Sequence, residues 1–199
     1  MSVKWLINMT KRIARRVYSF FFMIIHKNVF VAFGNNVRVY RPLQIDGYEN
    51  IFIGDNVTIL DGVWLASLNL TGEKGVKLEI GSGTSIGHLN HIYSTKAIII
   101  ENNVLTADKV YISDNMHSYE DINVPIMGQS IKQCQSVVIG EGSWLGENVC
   151  VIGASVGKHC IIGANAVVTT DIPDYCVAVG VPARVIKRYD FGKNEWMKV

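Results

Sequence analysis

Aliphatic residues recur every six positions along most of the chain after residue 50. A small residue, most often glycine, commonly follows, and turn-forming pairs such as Asp55-Asn56 lie between the units. A helix cannot keep one face apolar at a period of six, whereas short strands joined by tight turns can. The pattern therefore predicts a parallel β-solenoid with a core of stacked aliphatic side chains. The units begin at Ile53, Ile59, Leu65, Ile80, Ile86, Ile92, Ile100, Thr106, Ile112, Ile139, Leu145, Val151, Val156, Ile162 and Val168.

The largest break in the period follows Ile112 and lasts until Ile139. It contains His117, and a smaller break covers residues 67–77. Loops on a rigid scaffold are frequent positions of binding and catalytic residues. The long break is therefore the first place to look for function.

The first 30 residues follow a different pattern, typical of an amphipathic helix. Apolar residues step by three or four positions, and the apolar run at residues 17–25 is too short to span a bilayer. No A-x-A-like cleavage site follows it, so a signal peptide is not expected. Two interpretations stay open: the helix packs on its own protein or a sister subunit, or it lies on a membrane surface. The apolar stripe consists of Leu6, Met9, Ile13, Val17, Phe20 and Ile24.

Charge is unevenly distributed along the chain, although its net value is only +2. No carboxylate precedes Asp46, while eight of the 19 lysines and arginines do, so the remainder carries 11 bases against 17 acids, a net of −6. Such a balance predicts no nucleic-acid partner. The four cysteines form no CxxC pair, which favours reduced, buried thiols in a cytoplasmic protein over a zinc site.

The long break and the C-terminal region together resemble bacterial sugar O-acetyltransferases of the hexapeptide-repeat acyltransferase family. The resemblance is carried by "ISDNMHSYEDINVPIMGQSI", "VVIGEGSWLGENVCVIG" and "IPDYCVAVGVPARVIKRYDFGKNEW". It is nearest to the enzymes that act on O-antigen, capsule or exopolysaccharide.

The fold that this resemblance implies is all-β, a left-handed parallel β-helix. General rules for parallel crossovers would favour the right hand, so handedness rests on the resemblance alone. The implied organisation is a basic amphipathic helix at 1–30, the β-helix at 31–183 with an acceptor loop at 117–137, and a short helical tail at 184–199.

The activity that the resemblance implies is direct acetyl transfer from acetyl-CoA to a sugar hydroxyl of a cell-surface polysaccharide or its lipid-linked precursor. His117 takes the place of the family's catalytic base. The chemistry needs such a group, because a hydroxyl attacks a thioester poorly unless its proton leaves as the bond forms, and an imidazole is mostly a free base near neutral pH. A backbone N–H near Gly146 or Glu147 is the expected donor to the developing oxyanion.

The resemblance also implies a homotrimer that binds acetyl-CoA in the groove between two subunits. Glu147 and Thr170 depart from the serine and lysine usual in the family. The expected acceptor contacts are His91, Asn115 and Tyr119. The expected acetyl-CoA contacts are Trp144, Gly146, Glu147, Lys158, Ala164, Thr169, Thr170, Arg184 and Lys187.

Several alternatives remain at this stage. Asp114, Glu120 and Asp121 either orient His117 or are solvated loop carboxylates. A metal site is not expected, because the three-residue spacing of His88 and His91 suits a helix rather than a strand. The chain could instead N-acetylate a nucleotide-linked amino sugar, or serve as a non-catalytic scaffold. The expected location is the cytoplasm, with peripheral contact at the inner face of the cytoplasmic membrane if the helix binds lipid.

Overall fold

One long helix precedes a succession of short strands. The computed structural model describes residues 3–199, and the side chains of all of these except 3, 4 and 6–8. The helix is α1 (Val3–His26), and short 3₁₀ turns cover Tyr48–Asn50 and Ile126–Gly128. The strands are β1 (Ala32–Phe33), β2 (Arg38–Val39), β3 (Gln44–Asp46), β4 (Ile51–Ile53), β5 (Thr58–Ile59), β6 (Trp64–Ser67), β7 (Lys77–Ile80), β8 (Ser85–Ile86), β9 (His91–Ser94), β10 (Ala97–Ile100), β11 (Leu105–Thr106), β12 (Tyr111–Ser113), β13 (Asn115–His117), β14 (Ile131–Gln133), β15 (Val137–Ile139), β16 (Trp144–Leu145), β17 (Cys150–Ile152), β18 (Ile161–Ile162), β19 (Val167–Val168), β20 (Cys176–Val179), β21 (Arg184–Asp190) and β22 (Glu195–Lys198).

Three sheets of parallel strands form the body, and each complete coil adds one strand to each sheet. The first sheet has the order β1-β4-β7-β10-β15, the second begins β2-β5-β8-β11-β16-β18-β20, and the third is β3-β6-β9-β12-β17-β19. Equivalent positions of successive coils pair in register, so that the first sheet stacks Ile53, Ile80, Ile100 and Ile139. These side chains are almost completely buried. The predicted parallel solenoid is confirmed.

The small residue after each aliphatic position is required because neighbouring coils approach closely at the corners. A side chain at Gly81 would place its Cβ 2.5 Å from the carbonyl carbon of Glu101 on the next coil. Asn56 and Asn103 lie nearby with φ of 59° and 58°, the left-handed region that asparagine tolerates better than most residues. Glycine and asparagine therefore let the backbone turn a corner every six residues.

Asp114 fixes the corner at which the chain leaves the coil. Its carboxylate is fully buried and accepts hydrogen bonds from the backbone N–H groups of Thr95 at 2.7 Å and of Lys96 and Ala97 at 2.8 Å each. Asp114 is therefore not a solvated loop carboxylate. Beyond it, β13 and β14 pair antiparallel as a hairpin that carries the predicted acceptor loop, and the coil resumes at Val137.

Helix α1 packs on the start of the coil with the side opposite to the predicted stripe. The Ser19 hydroxyl accepts a hydrogen bond of 3.1 Å from the backbone N–H of Val39, and Phe22 is buried. His26 stacks between the rings of Phe22 and Tyr48, with centroids 4.5 and 5.6 Å away. Within the described stripe, Met9, Ile13, Val17, Phe20 and Ile24 are exposed; the side chain of Leu6 lies outside the described residues.

The C-terminal segment is a β-hairpin, so the predicted helical tail is wrong. Strand β21 pairs antiparallel with β20, and β22 pairs with β21. Val185, Lys187 and Tyr189 are partly buried, whereas Arg184, Ile186 and Arg188 are exposed, an alternation typical of a strand. Pairing with β21 also provides hydrogen-bond partners for the backbone N–H and C=O groups along the edge of β20, which a helical tail would leave unpaired.

Two further features concern the helix and the cysteines. No helix in the described part of the chain is long and apolar enough to cross a membrane. All four cysteines are free, and burial raises the pKa of the Cys160 thiol to about 11.

Replacing Asp114 with alanine should destabilise the whole coil. The change leaves the backbone N–H groups of the buried Thr95 and of the half-buried Lys96 and Ala97 without their acceptor. An unsatisfied donor costs about 1–3 kcal/mol, so we expect a loss of about 3 kcal/mol or more and a fall in Tm of about 6–12 °C. Thermal and urea unfolding would measure it. The control Asp121→Ala, on the exposed loop, should stay within about 0.5 kcal/mol. An equal effect of the two changes would contradict the role given to Asp114.

Candidate active site

His117 lies at the end of β13, on the stem of the hairpin. It pairs in register with Ile131, and the backbone N–H of Ser118 donates a 3.0 Å hydrogen bond to Ser130. The side chain is exposed, and within the described residues it has no hydrogen-bond partner. The hairpin therefore presents the imidazole to solvent from a paired, regular backbone.

The two loop carboxylates near His117 are engaged elsewhere. Glu120 pairs with Lys132, and this hydrogen bond, with others from the backbone, lowers the pKa of Glu120 to about 2. Asp121 accepts a 2.9 Å hydrogen bond from the backbone N–H of Asn123. Both are exposed loop carboxylates, and neither orients His117 in the single chain.

Two side-chain amides hold the base of the hairpin, and the sequence pattern did not indicate one of them, Gln133. The Gln133 side chain donates to the Asp114 carbonyl at 2.7 Å and accepts from the hydroxyls of Thr71 and Thr95 at 2.6 and 2.9 Å. Asn115 is buried, and its amide donates to the Tyr93 carbonyl at 3.2 Å and to the Asp114 carboxylate at 3.1 Å. Asn115 thus holds the hairpin, and its contact with an acceptor remains a prediction, as does that of the exposed Tyr119.

A row of aromatic rings runs along the outer face of the third sheet towards the hairpin. His91 lies flat on Trp64, with ring centroids 4.2 Å apart, and meets Tyr93 edge-on at 5.8 Å and Tyr111 at 5.3 Å. Burial lowers the pKa of His91, and its Nε2 has no hydrogen-bond partner in the described part of the chain. The tryptophan N–H donates to Asp46 at 2.9 Å.

The repeat itself carries a sequence signal for this row of rings. Trp64, His91 and Tyr111 each precede the aliphatic residue that opens a unit, so they occupy the same outward position of successive coils. A ring repeated at that position predicts a stacked surface, because in-register parallel strands place equivalent side chains side by side.

Three of the nine predicted acetyl-CoA contacts lie on the second sheet, and three more lie at the corner that adjoins it. Trp144 and Lys187 occupy equivalent positions on strands of this sheet. The in-register pairs between them join Leu105, Trp144, Ile161, Val177 and Lys187 in one row across the strands. Arg184 pairs with Val179 at the edge of the same sheet. At the adjoining corner, a Cβ on Gly146 would lie 2.7 Å from the backbone nitrogen of Ala164.

The remaining predicted contacts lie at other corners. Lys158 is exposed at the turn between the first and second sheets, where its backbone N–H donates to Asp174 at 2.8 Å. Thr169 and Thr170 follow β19 at the corner between the third and first sheets, the same corner that carries the hairpin of His117. The third sheet separates this corner from the one that contains Glu147 and Ala164.

The backbone N–H groups near Trp144 differ in availability. The N–H of Gly146 donates to the Ile162 carbonyl at 2.8 Å and belongs to the inter-coil ladder. The N–H of Glu147 has no acceptor within the described residues. Of the two predicted oxyanion donors, Glu147 is the one that is free.

The histidines considered for metal binding have other roles. His88 contacts Asp108 through Nδ1 at 3.1 Å, and its Nε2 lies 3.3 Å from Arg15, which itself pairs with Asp61. These contacts connect α1 to a corner of the coil. Across the described residues, no group of three or more histidine, cysteine, aspartate or glutamate side chains could hold a metal ion.

Known proteins resemble this chain in sequence and in fold. No family model matches it. WbbJ of Escherichia coli K12, provisionally named a lipopolysaccharide biosynthesis O-acetyl transferase, is 33% identical over 175 residues, 84% of this chain and 87% of WbbJ. A maltose O-acetyltransferase from Clostridium difficile 630 matches with a TM-score of 0.53 at 26% identity, over 83% of this chain and 73% of that one.

A third similar protein was solved with its ligands. AntD, an N-acyltransferase from Bacillus cereus in complex with dTDP and 3-hydroxybutyryl-CoA, matches with a TM-score of 0.70 at 21% identity, over 85% of this chain and 88% of AntD. At that identity the likeness shows the fold alone.

The three-sheet coil is a left-handed β-helix of the kind found in the maltose O-acetyltransferase and in AntD. The chain belongs to the hexapeptide-repeat acyltransferase family, and it is an acetyltransferase.

His91 should titrate below the usual histidine pKa of 6.5, because burial disfavours its charged form. An NMR titration of the ring signals would measure the midpoint. The unfolded chain takes up this proton more readily, so His91 should destabilise the fold as pH falls through about 6.5. The variant Trp64→Ala, which uncovers the ring, should raise the pKa towards 6.5. A wild-type midpoint at or above 6.5 would contradict the account.

Proposed function

We propose that this acetyltransferase uses acetyl-CoA to O-acetylate a sugar hydroxyl of a cell-surface polysaccharide or its lipid-linked precursor, with His117 as the general base. The observation that carries the proposal is the exposed imidazole on a hairpin whose base is fixed by Asp114 and Gln133. WbbJ, the relative described above, supports the choice of a hydroxyl acceptor in lipopolysaccharide biosynthesis.

His117 accepts the proton of the sugar hydroxyl while the oxygen attacks the acetyl carbon. The acetyl group arrives as a thioester, and its transfer forms the new ester and releases CoA as a thiol. The proton held on His117 then passes to the leaving sulfur, so no acyl-enzyme is needed. The free N–H of Glu147 is the proposed donor to the oxygen that becomes negative during attack.

The outer surface of the second sheet suits a long, partly apolar donor with phosphates. Trp144, Ile161 and Val177 form a partly exposed apolar row, and Lys187 continues it. Arg184 is exposed on the same strand as Lys187, where a guanidinium can make charge-assisted hydrogen bonds to phosphate. We place the nucleotide end of acetyl-CoA near these two bases and the thioester end near Glu147.

A homotrimer would bring the two halves of this site together. In the single chain the third sheet lies between the hairpin of His117 and the corner of Glu147 and Ala164. A cyclic assembly can place the hairpin of one copy against the second sheet of its neighbour, a heterologous contact that closes after three subunits. We propose that each active site lies at such a contact.

We further propose a cytoplasmic location. All four cysteines are free, and the pKa of Cys160 is raised well above neutrality, which keeps that thiol protonated and unreactive. Free thiols without disulfides are typical of reducing compartments.

Replacing His117 with alanine should slow acetyl transfer by about 10²–10⁴-fold, the usual contribution of a general base. Because the side chain is exposed and makes no hydrogen bond in the described structure, Tm and acetyl-CoA affinity should stay close to those of the wild type. The matched control is His159→Asn, an exposed histidine at another corner whose φ of 52° asparagine tolerates. Turnover of His117→Ala near the wild-type rate would remove His117 as the base.

Mixed trimers test whether the site is shared between copies. One variant lacks the base, His117→Ala, and the other, Ala164→Trp, blocks the proposed donor site on an exposed corner. Each alone should be inactive. If each site combines His117 of one copy with Ala164 of the next, random mixing in a three-fold ring leaves about a quarter of all sites intact. Activity that stays at the level of the single variants after co-expression would place both groups in one chain's site.

A further inference from the structure

The apolar stripe of α1 faces away from the protein. Ile13, Val17, Phe20 and Ile24 are each about half exposed, and they follow one side of the helix because they are three or four residues apart. Phe21 and Ile25 widen this surface, with 56% and 66% of their area exposed. We call these six side chains the outer stripe.

The orientation of the outer stripe is fixed by contacts on the opposite side of the helix. Ser19 accepts from the Val39 backbone, and Phe22 packs into the core. Arg15 pairs with Asp61 and lies over the ring of Tyr40, 5.0 Å from its centroid. Rolling the helix to bury the outer stripe would break all of these contacts together.

Exposed bases lie along one flank of the outer stripe. At 3.6 residues per turn, Arg12 and Arg16 lie between the packed side and the stripe, and the exposed Lys27 follows directly after the end of the helix. No aspartate or glutamate precedes Asp46 in the sequence, so the helix contributes no negative charge of its own. An apolar face flanked by lysine and arginine is the pattern of a helix that lies in a lipid–water interface.

We propose that α1 binds the surface of an anionic phospholipid bilayer, with the outer stripe among the acyl chains and the flanking bases at the phosphates. The helix would lie in the interface, since it is not apolar enough to cross. A second copy fits this surface less well, because its helix would bring the same bases and no acids to the contact. The proposal does not depend on the acetyl-transfer proposal, although it would place the enzyme beside a lipid-linked acceptor.

Vesicle co-sedimentation of the full chain tests this directly. The wild type should bind vesicles of phosphatidylglycerol mixed with phosphatidylcholine, and bind them more weakly at high salt or with phosphatidylcholine alone. Phe20→Ser/Ile24→Ser should reduce partitioning about tenfold or more, because two apolar side chains no longer leave water. Arg12→Gln/Arg16→Gln should reduce it about fivefold for each base removed, and only on the anionic vesicles.

Matched controls separate these effects from misfolding and from assembly. Leu43→Ser/Leu70→Ser changes two exposed leucines away from the helix, and Lys193→Gln/Lys198→Gln changes two lysines of the C-terminal hairpin. Both should bind vesicles like the wild type, and all four variants should keep the wild-type Tm. Absence of wild-type binding to anionic vesicles would overturn the proposal. So would loss of oligomers in the Phe20→Ser/Ile24→Ser variant with vesicle binding unchanged, which would make the outer stripe an interface between copies.

Discussion

The stacking of aliphatic side chains inside a narrow three-sided coil is the constraint on which the rest of the structure depends. Each inward side chain contacts its equivalents one coil before and after, so residues such as Ile80 and Ile100 must keep nearly the same size and register. Residues at the corners must also be small, because neighbouring coils approach each other closely there, as at Gly81. Chemistry can therefore be placed only on outward positions, at the corners, or on a segment that leaves the coil.

The hairpin that carries His117 is a segment that leaves the coil, and Asp114 stabilises the corner from which it leaves. The buried carboxylate of Asp114 accepts hydrogen bonds from the backbone N–H groups of Thr95, Lys96 and Ala97, at the turn that leads into β10. A buried charge is stable only when its hydrogen bonds are satisfied, which ties the carboxylate to this geometry. The stem beyond it starts from a rigid point, as a positioned catalytic base requires.

The sequence predicted the coil well because its period is a direct consequence of that packing. It failed where two local patterns compete. The tail from Arg184 alternates in burial as a strand, yet the resemblance suggested a helix, and pairing with the edge of β20 decided the outcome. The stripe of α1 was identified correctly as a helical face, but its orientation depended on Ser19 and Phe22, which the apolar period does not distinguish.

In the candidate site too, features that follow from the repeat could be predicted, whereas features that depend on the three-dimensional arrangement of the sheets were not. His117 was recognisable because the period stops there, and the row of Trp64, His91 and Tyr111 could have been found from the repeat itself. The separation of His117 from Glu147 was not predicted from the sequence. It depends on which corner of the three-sided coil each residue occupies, and the third sheet lies between these two corners.

The central claim is that the acetyl group goes to a hydroxyl of a carbohydrate. The most direct measurement is mass spectrometry of a lipid-linked oligosaccharide after incubation with the enzyme and acetyl-CoA, before and after mild alkali. The account predicts a product that gains one acetyl group and loses it in alkali, because an ester hydrolyses where an amide survives. An alkali-stable acetyl product, or CoA release without acetylation of any carbohydrate acceptor, would contradict it.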